Sequence, residues 1–154
     1  MLTLPEFTIG VGDRFGQQGQ SQLQAFINAS DMGIDVSPVW NKSFREHSIC
    51  KTKPSDVWEE AERAVAQANW NKPWFVDADH IKLSNVDSFI GSSNFFTLDV
   101  ADAIGKRAPE SDITHFVNKY KSLIGHLRIE GMSEDLIITA DFLSFWAQKY
   151  LYAV

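Results

Sequence analysis

The chain has 154 residues, of which 44% are hydrophobic and 22% charged. That is enough for one domain with an ordinary core, and it excludes a disordered, collagenous or low-complexity chain. A net charge of −6 argues against a sequence-independent grip on nucleic acid, and no apolar run approaches the ~20 residues of a membrane helix. The single cysteine, Cys50, excludes an internal disulfide and a thiolate zinc cluster. The first residues lack the basic-then-apolar pattern of a secretory signal, so a cytoplasmic setting is expected.

The apolar run Phe7–Val11 predicts a first strand, leading into the glycine-rich loop Gly12-Asp13-Arg14-Phe15-Gly16. Leu23, Phe26 and Ile27 fall on one helix face, and Gly33 is a natural stop. Residues 34–40 predict a second strand, although Pro38 cannot donate to a sheet ladder. Asn41 to Lys53 reads as a polar loop. Ser55 predicts the cap of a helix that keeps its apolar period to about Asn69, with Asp56, Glu59 and Glu60 placing negative charge near its start.

Trp74–Val76 predicts a third strand that ends at Asp77-Ala78-Asp79-His80. Val86, Phe89 and Ile90 suggest a short helix stopped by Gly91, and Phe95–Val100 a fourth strand. Beyond a linker from Asp102 to Glu110, Ser111 predicts the cap of a helix running as far as Leu127, and Ser133 that of a last helix from Leu136 to Tyr150. Strand then helix, repeated over residues 1–100 and followed by a helical part over 111–152, predicts a single α/β domain. It would be an incomplete, TIM-barrel-like half of about four parallel strands closed by two helices. A complete eight-stranded barrel typically takes about 250 residues. The open edges of such a sheet predict self-association.

Polar groups gather at the C-terminal ends of the predicted strands, where α/β folds place their sites. Asp79 and His80 suit metal ligation or general-base chemistry, or else simply end a strand. Strict alternation would put His80 on the opposite side from Asp77 and Asp79, so Asp79 and His80 converge only if the strand twists or ends there. The backbone amides of the Gly12–Gly16 loop and Arg14 offer an anion contact, or Asp13 and Arg14 a structural ion pair, and Lys42 and Arg45 offer a carboxylate contact or a solvated loop. His115 and His126 read as helix residues, and Cys50 has no histidine partner at a recognisable spacing.

Five segments together resemble the tagaturonate epimerase family: residues 8–16 (Thr-Ile-Gly-Val-Gly-Asp-Arg-Phe-Gly), 43–46 (Ser-Phe-Arg-Glu), 56–61 (Asp-Val-Trp-Glu-Glu-Ala), 77–82 (Asp-Ala-Asp-His-Ile-Lys) and 96–99 (Phe-Thr-Leu-Asp). The resemblance implies a barrel-like sugar-acid epimerase that interconverts D-tagaturonate and D-fructuronate with a divalent metal cation (Mn, Ni or Zn). It implies Asp79 as proton acceptor, His80 as a metal ligand, and Asp13, Arg14, Lys42 and Arg45 as substrate contacts. Asn41-Lys42 stands where some members are expected to carry Gln-Gln. The family's remaining metal ligands and its proton donor belong to a C-terminal part beyond this chain, so a fragment or truncated member is expected. Two alternatives are another metal-dependent aldolase or isomerase and a non-catalytic sugar-acid-binding module. No contact with nucleic acid or membrane is expected.

Overall fold

The computed structural model describes residues 3–154. The chain divides into two compact units, one up to Asp99 and one from Val100 onwards.

The first unit is a four-stranded parallel sheet with its strands in chain order: β1 (Thr8–Gly12), β2 (Ser37–Ser43), β3 (Phe75–Ile81) and β4 (Phe95–Leu98). Helix α1 (Gly19–Asp31) links β1 to β2, and α2 (Phe44–Cys50) and α3 (Pro54–Gln67) link β2 to β3. A 3-10 turn, Val86–Ser88, precedes β4. The α/β order and the parallel pairing agree with the sequence expectation.

One face of the sheet is apolar. Leu23 and Phe26 of α1, Trp40 of β2, Ala61 and Ala64 of α3 and Val76 of β3 form its core. Full burial of a side chain such as Leu23 is worth about 2 kcal/mol. Ala61 and Ala64 are small, which lets α3 lie close to its neighbours. The Trp40 indole N–H donates to Gln22 Oε1 at 2.9 Å, so its polar edge is satisfied inside the core. Alternation sends Val39, Asn41 and Ser43 of β2 and Phe75, Asp77 and Asp79 of β3 to the other face. There Phe75 meets Phe95 edge-on, with ring centroids 6.1 Å apart.

Several boundaries depart from expectation: β1 is displaced by one residue and β4 ends at Leu98 instead of Val100. β2 starts and ends three residues late and includes Pro38. The Ser37 N–H donates to Phe7 on the β1 side, so the N–H that Pro38 lacks would face β3, whose pairing begins only at Val39 and Phe75. The segment read as a polar loop holds α2, started by a capping box: the Ser43 hydroxyl accepts from the Glu46 N–H, and the Glu46 carboxylate accepts from the Ser43 N–H. In α3 the cap is Lys53 rather than Ser55. Pro54 takes the first helical position, where its missing N–H costs nothing, and Asp56 accepts from the Lys53 N–H at 2.8 Å. β3 starts at Phe75 and runs through the Asp77–His80 segment, where its end was expected, to Ile81.

The second unit holds α4 (Glu110–Lys119), an antiparallel pair β5 (Gly125–Leu127) and β6 (Leu136–Ile138), and α5 (Ala140–Tyr150). Its core is Ala108, Ile113 and Ala147, flanked by Phe116 and Leu151. The two expected helices are present but shorter. α4 stops eight residues before Leu127, and Gly125, with a φ of 135° that side chains rarely adopt, opens β5. Leu136–Ile138 is a strand, as the β-branched Ile137 and Ile138 favour. The last helix is capped by Thr139, whose hydroxyl accepts from the Phe142 N–H at 3.0 Å, and not by Ser133.

Candidate functional site

The C-terminal ends of β2, β3 and β4 border a cleft of about 300 Å³, lined by Ser43, Phe44, Arg45, His80, Asn85 and Asp99. Each wall has a local cause. The capping box turns the chain sharply after β2 and places Arg45 in the first turn of α2. Among the described residues Arg45 makes no hydrogen bond or ion pair, so its planar fork is open to an anion. Across the cleft, Lys82 and Asp99 pair at 3.2 Å, and Asn85 closes a turn by accepting the Lys82 N–H at 2.8 Å.

Asp79 and His80 do converge, and the structure shows how. The β3–β4 register shifts between Ala78 and Ile81. His80 takes a left-handed φ of 58°, uncommon for a residue with a side chain. This turn brings His80 Nδ1 to 2.8 Å from Asp79 Oδ1, although alternation alone would separate the two. Asp79 lies mostly buried and the His80 ring mostly exposed. A carboxylate can only accept, so Nδ1 carries the shared hydrogen and Nε2 of a neutral ring keeps its lone pair.

The other expected site residues sit elsewhere. Asp13 serves its own loop, accepting from the backbone N–H groups of Phe15 (2.9 Å), Gln17 (2.5 Å) and Gln18 (2.6 Å). Burial works to raise its pKa, but these amides and that of Gly16 hold it below the ordinary carboxylate value. A Cβ at Gly12 would stand 2.8 Å from Asn41 Oδ1, so the Asn41 amide would have to move to admit a side chain there. Arg14 reaches Glu46 Oε1 at 3.2 Å. The Ser43 N–H, opposed by burial and helped by the Ser43 hydroxyl and Arg14, lowers the Glu46 pKa. Arg14, Arg45, Glu46, Ile49 and Cys50 line a second hollow of about 190 Å³. Lys42 is buried and its amine donates to the Arg14 carbonyl, which ties β2 to the loop after β1.

Sequence reasoning placed Asp77 and Asp99 at strand ends but gave them no role, and it left out Glu46 and Asn85; Asp77 lies behind the site. Ser-x-x-Glu at 43–46 was a readable signal for Glu46. Asp77, 6% exposed, sits two residues before Asp79 on the same sheet face. It accepts the Thr97 hydroxyl at 2.8 Å on Oδ2, and its Oδ1 is buried with no hydrogen-bond partner among the described residues. Burial raises its pKa; Thr97 opposes this and the Asp79 charge adds to it. For a divalent cation the donor set is incomplete. No three His, Cys, Asp or Glu side chains among the described residues are placed to share an ion, whereas a catalytic zinc-type site uses about three protein ligands. No helix among these residues is long and apolar enough to cross a membrane.

Known proteins resemble this one in both sequence and fold. A search of curated proteins finds no match. Solved structures of the fructuronate-tagaturonate epimerase UxaE from Cohnella laeviribosi superpose on 96% of the chain at 22% identity. The TM-score is 0.67 for the native form, 0.63 with one glycerol bound and 0.66 with two. The chain spans 32% of the length of those proteins. The family model described as UxaE, tagaturonate epimerase, matches residues 2–136, and the chain therefore belongs to the tagaturonate epimerase family.

Proposed function

We propose that this protein takes part in sugar-acid epimerisation of the tagaturonate/fructuronate type, with the cleft at the ends of β2–β4 as the substrate site. The observation that carries this reading is an open guanidinium, Arg45, on the same cleft as His80, whose ring is paired with Asp79. One group suits the carboxylate of a ketose acid and the other can move a proton from a hydroxyl. The barrel-like setting belongs to the same reading. Four parallel strands in unbroken chain order are how consecutive barrel strands run, and α/β barrels carry their chemistry at the C-terminal ends of the strands.

The substrates constrain the route. The two ketose acids differ at C4 and carry the ketone at C2, so the C4 hydrogen is not acidified by the carbonyl. A retro-aldol step inverts C4 without touching that hydrogen. Asp79 takes the C4 hydroxyl proton, the C3–C4 bond breaks, and its electron pair enters the C2–C3 enediolate. The C4 aldehyde rotates, the bond re-forms on its other face, and the proton returns to the C4 oxygen. Arg45 holds the carboxylate of the aldehyde fragment and so keeps it from leaving. His80 fits as one ligand of a divalent cation that would supply Lewis-acid stabilisation, but the described residues do not complete such a site, and the steps written above use only side chains of this chain.

The test is turnover of D-tagaturonate deuterated at C4, with divalent cation supplied. The label is expected to stay in the D-fructuronate formed, and Asp79→Asn is expected to slow the reaction by about 100-fold or more, as for a general base. Loss of label to water, or an unaffected Asp79→Asn rate, would contradict the proposal.

A further inference from the structure

The least explained feature of the first unit is a carboxyl buried behind the cleft. Asp77 is inaccessible to water at Oδ1, so it does not touch substrate. Its neighbours suggest another task. Pairing between β3 and β4 includes Ala78 with Phe96 and Ile81 with Leu98, which sets two residues of β3, Asp79 and His80, against one of β4, Thr97. That is a β-bulge, and a bulge breaks the hydrogen-bond ladder locally. Thr97 has no register partner on β3. The Asp77 side chain reaches it instead: the Thr97 hydroxyl donates to Oδ2 at 2.8 Å, and the Thr97 backbone N–H also favours the charged carboxyl.

The bulge is also what makes the candidate site. His80, the second of the two residues set against Thr97, takes the left-handed backbone, and this turn brings Nδ1 to Asp79. From the other side, the Asn85 amide donates weakly to the His80 carbonyl, at 3.4 Å. We propose that Asp77 is a positioning residue for the Asp79–His80 pair, its carboxyl replacing the ladder partner that Thr97 loses and so holding the bulge that fixes the left-handed turn at His80. The inference concerns how the pair is held, and it rests on the epimerase reading only for its kinetic consequence.

A readout independent of activity decides it. A residue with positive φ brings its amide and α hydrogens close together, so His80 in the isotope-labelled full chain should give a strong intraresidue HN–Hα Overhauser effect. Asp77→Ala should lose it, while the amide signals of α1 and β1 stay in place as proof of folding. Asp77→Asn, which keeps an acceptor for the Thr97 hydroxyl, should retain it. If Asp77→Ala does not fold, the exposed partner decides: Thr97→Val should weaken the effect and Thr97→Ser should keep it. A folded Asp77→Ala or Thr97→Val chain with the His80 effect unchanged would overturn the proposal. In the catalytic assay Asp77→Ala and Thr97→Val should lower kcat about 10- to 100-fold, as loss of a supporting partner typically does, with KM little changed and Thr97→Ser restoring the rate. Absence of turnover in the wild-type chain would count against the epimerase reading, while the Overhauser comparison would still decide the role of Asp77.

Discussion

Two side chains carry predictions of their own. Arg45 stands on the cleft with no partner among the described residues, so its removal should affect ligand rather than fold. Arg45→Ala is expected to raise KM for the sugar acid about tenfold or more, the worth of a charge-assisted hydrogen bond, and to leave the melting temperature within about a degree of wild type. His47 is the opposite case. It is buried between Thr52, which it meets at 2.9 Å, and the ring of Phe89. Burial, with the Lys42 charge adding to it, lowers its pKa to about 4. The folded state thus holds His47 neutral where the unfolded chain takes up a proton. Stability is fully present above the ordinary histidine value of 6.5 and drains away as pH falls towards about 4. The loss should be on the order of 2–3 kcal/mol. Thermal melts between pH 7 and pH 4 should show this fall, and His47→Gln should flatten it; a parallel fall in both proteins would reject the assignment. At this scale the sequence was informative about which residues matter and poor about where they point. Asp79 and His80 were legible as a motif, but their convergence depends on one left-handed residue that no local pattern announces. Asp13 and Lys42 were expected as substrate contacts, yet one is used by its own loop and the other by the Arg14 carbonyl.

Among the elements, α2 is the most exposed to a single change. It is short and depends on the reciprocal bonds between Ser43 and Glu46. Ser43→Ala should cost about 1 kcal/mol, a few degrees in melting temperature for a chain of this size. It should also raise KM, because Arg45 is aimed by the same turn; an unchanged KM would separate the cap from the site. The capping box was readable as Ser-x-x-Glu, but the polar composition of residues 41–53 masked it. Pro38 misled for a related reason: a proline is excluded from a ladder only where its N–H is needed, and at Pro38 the ladder on that side has not begun. The second unit was the least legible part. Apolar residues at 123, 124 and 127 continue a helical period, yet Gly125 breaks it, and the run from Leu136 to Ile138 fits either period over three residues.

For the molecule as a whole, the order of strands was legible because strand–helix alternation with short connections leaves few parallel arrangements. Closure was not. Among the described residues β1 and β4 each pair on one side only, and Ile9 on β1 and Phe96 and Leu98 on β4 are exposed. Open edges of this kind promote pairing between chains, so sedimentation should show self-association that grows with concentration, and a monodisperse monomer would contradict that expectation. Whether the cleft recognises a ketose by its carboxylate is decided by titrating D-tagaturonate, and separately the neutral D-tagatose, into the isotope-labelled chain while following its amide signals. Saturable shifts are expected at Arg45, Asp79, His80 and Asn85 with the acid, abolished in Arg45→Ala, and none with the neutral sugar. Equal responses to both sugars, or shifts confined to other parts of the chain, would contradict recognition by the carboxylate.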